Sequence, residues 1–145
     1  MRCVFCGNDT KVIDKRDNEE TIRRRRECIS CDKRFTTYER PEINLIVIKK
    51  DGRREGFRRD KILNGVLRAC EKRPISRETI EKLVDDIEKE LREYGDEIES
   101  KKIGDMVMEK LKALDKIAYI RFASVYRSFD DIGSFEKELK QLRSG

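Results

Sequence analysis

Cys3-Val4-Phe5-Cys6, answered by Cys28-Ile29-Ser30-Cys31, decides how the first quarter of this chain folds. Each Cys-x-x-Cys pair brings two thiolates within reach of one ion. Two pairs supply the four ligands of a tetrahedral Zn²⁺ site. The spacer between the pairs, residues 7–27, exceeds the usual range by about one residue, which a hairpin tip absorbs. The alternative, two disulfides, needs an oxidising compartment that nothing else in the sequence signals. A segment this short and polar buries too little apolar surface to fold alone, so the metal is expected to supply its folding energy. Four protein ligands close the coordination sphere, and the site therefore reads as structural and not catalytic.

The bulk composition fits that start. The chain has 145 residues, 45% of them charged, with a formal net charge of +5. That length holds one ordinary domain, or a small metal-stapled module beside a compact one. The basic balance permits a nucleic-acid partner. No apolar run reaches membrane-spanning length and no signal-peptide core is present, which points to a cytoplasmic protein with no membrane partner. A metal ligand at position 3 also argues against removal of an N-terminal segment. Cys70 falls in an apolar helical pattern and reads as core packing. Histidine is absent, which removes the commonest general base. With a closed metal site and no Walker loop, the chain does not read as an enzyme.

Hydropathy patterning predicts an α+β chain. Residues 1–40 read as the ribbon, with short strands over 10–13, 21–27 and 34–38 and a polar tip at 17–20. Pro41 opens a linker over 41–45. A second domain follows over 46–136, with a tail at 137–145. The apolar β-branched run ending at Ile48, the Asp51-Gly52 turn signal and a return strand over 53–57 predict a β-hairpin. The rest is helical. Helices are expected over 60–72, stopped by Pro74, then from a Ser76 cap through Leu91 to Gly95. A third is expected from a Ser100 cap, a fourth from an Asp115 cap through Phe129, and a short one over 134–142. Tyr119, Phe122, Val125, Tyr126 and Phe129 recur at core spacing, and the acids between Glu78 and Glu99 read as a solvated helix face.

Two basic clusters stand out. Arg23-Arg24-Arg25-Arg26 directly precedes Cys28. On a strand, two of these arginines face each way, and guanidinium groups match phosphates and guanine edges. Lys33, Arg34 and Arg40 extend the patch, which makes the ribbon a candidate nucleic-acid reader. In the second cluster, seven cations fall between Lys49 and Lys61, around the hairpin and the following helix start. Such a cluster suits a polyphosphate, although an exposed basic hairpin has the same pattern. In the fourth helix, Arg121 and Tyr126 need partners if buried; a ligand phosphate or a carboxylate of the bundle would serve.

These segments together resemble a known family. Arg23 through Cys31, followed by Arg34-Phe35-Thr36-Thr37-Tyr38-Glu39, is similar to the zinc ribbon of the bacterial ribonucleotide-reductase transcriptional repressors (NrdR-type). Lys50-Asp51-Gly52-Arg53-Arg54-Glu55-Gly56-Phe57, Ile103-Gly104 and Tyr119-Ile120-Arg121-Phe122-Ala123-Ser124-Val125-Tyr126 resemble the ATP-cone that follows it in that family. The likeness runs over nearly the whole chain in the same order. The chain departs from the usual family pattern at Lys15 and at Arg58.

The resemblance implies a small zinc ribbon followed by a helical ATP-cone whose β-hairpin serves as a lid. It implies one structural Zn²⁺ on Cys3, Cys6, Cys28 and Cys31. It assigns promoter DNA to Arg16, Arg23, Arg24, Arg25, Arg26, Lys33 and Arg34. It assigns an adenine nucleotide, ATP or dATP with Mg²⁺ as companion of the phosphates, to Val47, Lys49, Lys50, Arg53, Arg54, Glu55, Lys61 and Tyr126. The implied protein is a homo-oligomeric repressor, nucleoid-associated when repressing. The competing expectation is a regulatory subunit that docks on a nucleotide-metabolism enzyme through its ribbon.

Overall fold

The computed structural model describes residues 1–127 and 131–144. The chain divides into two compact units, Met1–Glu42 and Ile43–Gly145.

The first unit is a three-stranded antiparallel sheet in the order β1 (Thr10–Asn18), β2 (Thr21–Cys28), β3 (Arg34–Glu39). β1 runs five residues beyond the expected strand, because only Glu19-Glu20 is needed to reverse the chain. Glu19 takes the left-handed conformation (φ 35°), and the Asn18 side chain accepts from the Thr21 backbone N–H at 2.9 Å. The register slips between Val12 and Asp14, a β-bulge at Ile13.

Among the described residues, the second unit carries a small sheet, β5 (Arg54–Gly56), β4 (Ile46–Ile48) and β6 (Glu97–Glu99), and five helices. These are α1 (Arg59–Ala69), α2 (Arg77–Arg92), α3 (Ser100–Leu114), α4 (Lys116–Tyr126) and α5 (Ile132–Ser144). The β4–β5 hairpin closes as its sequence predicts. The Gly52 N–H donates to the Lys49 carbonyl at 3.0 Å, Asp51 accepts from the Arg53 N–H at 3.0 Å, and Gly52 has φ +85°, a conformation that favours glycine. β6 pairs in parallel with β4, Val47 facing Ile98. Nothing in Glu97-Ile98-Glu99 announces a strand, since a three-residue parallel partner has no local signature.

The core follows the helical periodicities. Leu45, Val66, Val84, Ile87, Leu91, Val107 and Leu111 are almost wholly enclosed. Cys70 is buried with them. Ser76 caps α2, accepting from the Thr79 N–H at 3.1 Å, and Asp115 caps α4, accepting from the Ala118 N–H at 2.9 Å. Several expectations are corrected. Ser100 does not cap α3 but is its first residue, with Glu99 at the cap and no side-chain bond there. Val125 is 81% exposed rather than core. Phe129 lies outside the described residues. The short helix expected over 134–142 is present as α5, where Leu142 is buried. There Glu138 accepts from the Tyr119 hydroxyl and from Arg127, the latter at 2.6 Å.

The acidic face of α2 is not uniformly solvated either. Glu81 and Glu88 are buried. Arg59, in the first turn of α1, reaches across to Glu81 at 2.9 Å and Asp85 at 2.7 Å and also pairs with Glu88. One guanidinium thereby compensates carboxylates whose desolvation would otherwise oppose folding. Arg121 takes partners that its own helix does not announce. Its guanidinium donates to the backbone carbonyls of Ala69 and Glu71, the latter at 2.6 Å, at the C-terminal end of α1, where the helix dipole favours a cation.

Arg59→Ala should therefore be costly. Removing one partner of a buried ion pair leaves uncompensated charge, worth about 3–5 kcal/mol. Urea unfolding of the variant should show a matching loss, with Glu88→Gln in the same background recovering part of it.

Candidate functional site

The two cysteine pairs sit on matching turns. In the first, the Gly7 N–H donates to the Cys3 carbonyl at 3.0 Å and Gly7 has φ +78°. In the second, the residue after the last cysteine is Asp32, with φ +60°. Aspartate tolerates this left-handed conformation better than most non-glycine residues. The Ile29 N–H donates to the Asp9 carbonyl at 3.1 Å and ties the turns together. All four sulfurs lie within 4.8 Å of one another, with Cys3–Cys31 at 3.7 Å and Cys6–Cys28 at 3.4 Å. Those separations are far beyond a disulfide bond. They match the ~3.8 Å expected between sulfurs of a tetrahedral Zn²⁺ site with ~2.3 Å bonds.

Backbone amides also converge on the sulfurs. The Phe5 N–H points at Cys3 Sγ, and those of Ser30 and Cys31 point at Cys28 Sγ, all at 3.3–3.4 Å. The Asn8 backbone amide, with Cys28 beside it, pulls the Cys6 thiol down to about 6. The Lys33 amide works the same way on Cys31, yet burial and three sulfur neighbours push that thiol up to about 12. Four thiolates side by side need a cation among them, and the donor set fits Zn²⁺.

The arginine run forms the middle of β2, the central strand, and all four residues are half-buried. The register divides them. Arg24 and Arg26 share a face with Lys15, Val12, Phe35 and Thr37. Arg26 donates to Thr37 at 3.3 Å and Arg24 reaches Glu39 at 3.5 Å on that face. Arg23 and Arg25 share the other face with Arg16, Asp14, Thr36 and Tyr38. There Arg25 donates to Thr36 at 2.9 Å, and Glu27 holds Arg34 at 2.8 Å and Lys11 at 3.6 Å. Lys33 lies off the strands, with its ammonium 4.9 Å from the centre of the Phe5 ring. The seven predicted cations are thus not one surface but two faces and an end.

In the second unit, a cavity of about 270 Å³ lies under the hairpin. Val47, Lys49, Glu55, Lys61 and Tyr126 all line it. Glu55 sits between Lys61 at 2.9 Å and Lys49 at 3.2 Å. Lys61, then Lys49, hold its carboxyl below the usual range. Lys50 instead lines an adjoining cavity of about 750 Å³ with Lys101, Asp105, Lys112 and Arg127. Arg53 and Arg54 line neither; Arg53 pairs with Asp51 at 2.7 Å and Arg54 with Glu97. Among the lining residues not assigned by sequence are Phe57, Ile103, Val107 and Phe122, which with Ile62 give an apolar floor, and Ser100 and Arg58. Arg58, one of the positions where the chain departs from the family pattern, adds a cation to the rim.

Tyr126 stands between the two cavities and lines both. Its ring stacks on Phe122, centroids 5.8 Å apart, and its hydroxyl donates to the Lys101 carbonyl at 2.9 Å. Burial, with Asp105 nearby, raises its pKa and keeps that proton in place. The ring crosses α3 at Gly104, where an added Cβ would fall 2.1 Å from Tyr126 Cζ. A glycine inside a helix is the one sequence signal that could have found this crossing.

Comparison with known proteins now adds to the geometry. Residues 1–39 match the family described as transcriptional repressor NrdR-like, N-terminal domain, and residues 45–132 match the ATP cone domain. The transcriptional repressor NrdR of Symbiobacterium thermophilum is 57% identical over 146 residues, covering 98% of this chain and 97% of that protein. That of Caldicellulosiruptor saccharolyticus is 58% identical over 147 residues, covering 98% and 96%. That of Thermotoga neapolitana is 57% identical over 148 residues, covering 99% and 95%.

Two outcomes are expected. A strong chelator at neutral pH should abolish the folded signal of residues 1–42 while the helical unit keeps its own unfolding transition, and zinc affinity should fall on acidification as thiolates protonate; amide exchange resolved by unit checks both. Gly104→Ala should force the Tyr126 ring off α3, costing about 1–3 kcal/mol by overpacking, as thermal unfolding would report.

Proposed function

The chain belongs to the NrdR-type transcriptional repressors, and from that premise we propose that its ribbon grips the promoter DNA of ribonucleotide reductase genes under control of ATP and dATP. The observation that carries this reading is the joining, in one chain, of a four-thiolate ribbon with arginines on both faces to a lidded apolar cavity ringed by Lys49, Lys61 and Arg58. Zn²⁺ on Cys3, Cys6, Cys28 and Cys31 would supply the folding energy that so small a sheet lacks. Arg16, Arg23, Arg24, Arg25, Arg26, Lys33 and Arg34 then supply the cationic contacts to the DNA.

In the second unit, Lys49 and Lys61 would exchange their carboxylate partner for nucleotide phosphates. Val47 and the apolar floor pack against the base, and Tyr126 closes the far wall. Lys50 reaches phosphate from the adjoining cavity. Mg²⁺ accompanies the phosphates and offsets Glu55. Arg53 and Arg54 take a peripheral part.

ATP and dATP differ by one hydroxyl, so control requires that the two favour different states of the protein. Each tenfold change in DNA affinity needs about 1.4 kcal/mol of coupling. One ribbon offers few contacts, and a homo-oligomer presenting two ribbons to two half-sites meets the affinity a repressor needs. The reading places the protein on the nucleoid while it represses.

Fluorescence anisotropy on a promoter fragment, with no nucleotide, ATP or dATP, tests this. Binding should be at least tenfold tighter with dATP than with ATP, and the Lys49→Ala, Lys61→Ala double variant should lose that difference together with nucleotide affinity. Equal occupancy in all three conditions would sink the proposal.

A further inference from the structure

The zinc end of the ribbon carries a surface that the arginines do not account for. Val4 and Ile29 occupy the same place in the two cysteine turns, directly after the first ligand of each pair, and are 68% and 63% exposed. Phe5 beside them is 56% exposed. Three large apolar side chains clustered at one tip are unusual for a chain in which 45% of residues are charged, and such clusters mark contact surfaces. The tip is rigid, because the sulfurs and their backbone N–H donors hold both turns.

The tip is continuous with one face of the sheet. The Phe5 ring meets the Phe35 ring edge-on, centroids 6.4 Å apart. Phe35 is the register partner of Arg26, and Arg26 faces the exposed Val12 on its other side. Arg24 and Lys15 follow two residues further along. From Cys28 to Arg24 this face spans ~13 Å at ~3.3 Å per residue, the rise of about four base pairs. Apolar groups at one end, cations along the rest and Lys33 over the Phe5 ring suit a polyanion that also offers apolar spots. Duplex DNA offers such spots in its major groove as thymine C5-methyl groups. An apolar protein groove would have to desolvate the same cations without compensation.

Resting on the DNA reading above, we propose that Val4, Phe5 and Ile29 form an apolar reading tip that packs on thymine methyl groups, so that the Arg24–Arg26 face and not the Arg23–Arg25 face lies against the bases. The cations fix position along the backbone, and the tip contributes sequence preference.

The test compares a promoter fragment with the same fragment carrying deoxyuridine for thymidine, which lacks only the methyl. The wild-type full chain, with dATP, should bind the deoxyuridine fragment roughly tenfold more weakly. The Val4→Ser, Phe5→Ser, Ile29→Ser variant, checked for full zinc content, should lose a similar factor on thymidine DNA and no longer distinguish the two fragments. Its salt dependence should match the wild type, because no phosphate contact is removed. Equal wild-type affinity for both fragments overturns the proposal, whatever the variant does. So does a variant that still discriminates, and unchanged DNA binding by the variant would assign the tip to a protein contact instead. If the wild type binds neither fragment with any nucleotide, the DNA reading falls and the tip with it.

Discussion

Four cysteine sulfurs gathered within 4.8 Å of one another can all ionise only with a positive charge among them. That constraint governs the whole first unit. The sheet of β1, β2 and β3 has little apolar core of its own; Cys3, Cys28 and Thr21 are its buried residues. What fixes the strands is the pair of turns at one end, each set by a left-handed residue and by amides aimed at sulfur. Strand β2 inherits its position from Cys28, so a metal bound there would hold the arginines in space from a few residues away. Long side chains on a free hairpin would spend conformational entropy on every contact; on a clamped one, less is lost.

The second unit solves a different problem, that of keeping cations gathered around a cavity. Lys49 and Lys61 come from different parts of the chain, and as like charges around one cavity they repel. Glu55 stands between them and makes the arrangement tolerable. Arg59 anchors the start of α1 to α2, and so also holds the backbone that carries Arg58 and Lys61. A buried ion cluster is a poor source of net stability. Its use here is positional, since it determines where the rim cations of α1 begin.

Much of this was legible in the sequence because it is local. Cysteine spacing, the Asp51-Gly52 turn, the Ser76 and Asp115 caps and the core positions of α2 each follow from residues a few places apart. What was not legible is long-range. β6 exists only because β4 presents an open edge. The burial of Glu81 and Glu88 depends on an arginine more than twenty residues upstream. Arg121 finds carbonyls at a helix end that no pattern in its own helix reveals. For the arginine run, the strand alternation was readable, but which cations join each face needed the register and the bulge at Ile13. The cavity assignments divide likewise. Residues on the hairpin's inward side and Lys61 converge, whereas Lys50, Arg53 and Arg54, indistinguishable from them as charges in a row, point elsewhere.

The parallel pairing of β6 with β4 ties the hairpin into the helical body. The hairpin is not a flap on a flexible stalk. Its inner strand is the middle of a sheet, bonded on one edge to β5 and on the other to β6, and β6 leads without a break into α3 at Ser100. The same first turn of α3 carries the Lys101 carbonyl that Tyr126 holds. Any displacement of β4 is therefore mechanically shared with the floor, through a stiff splice of strand to helix. Occupancy beneath the hairpin would therefore bear directly on α3, at the crossing where glycine leaves no slack.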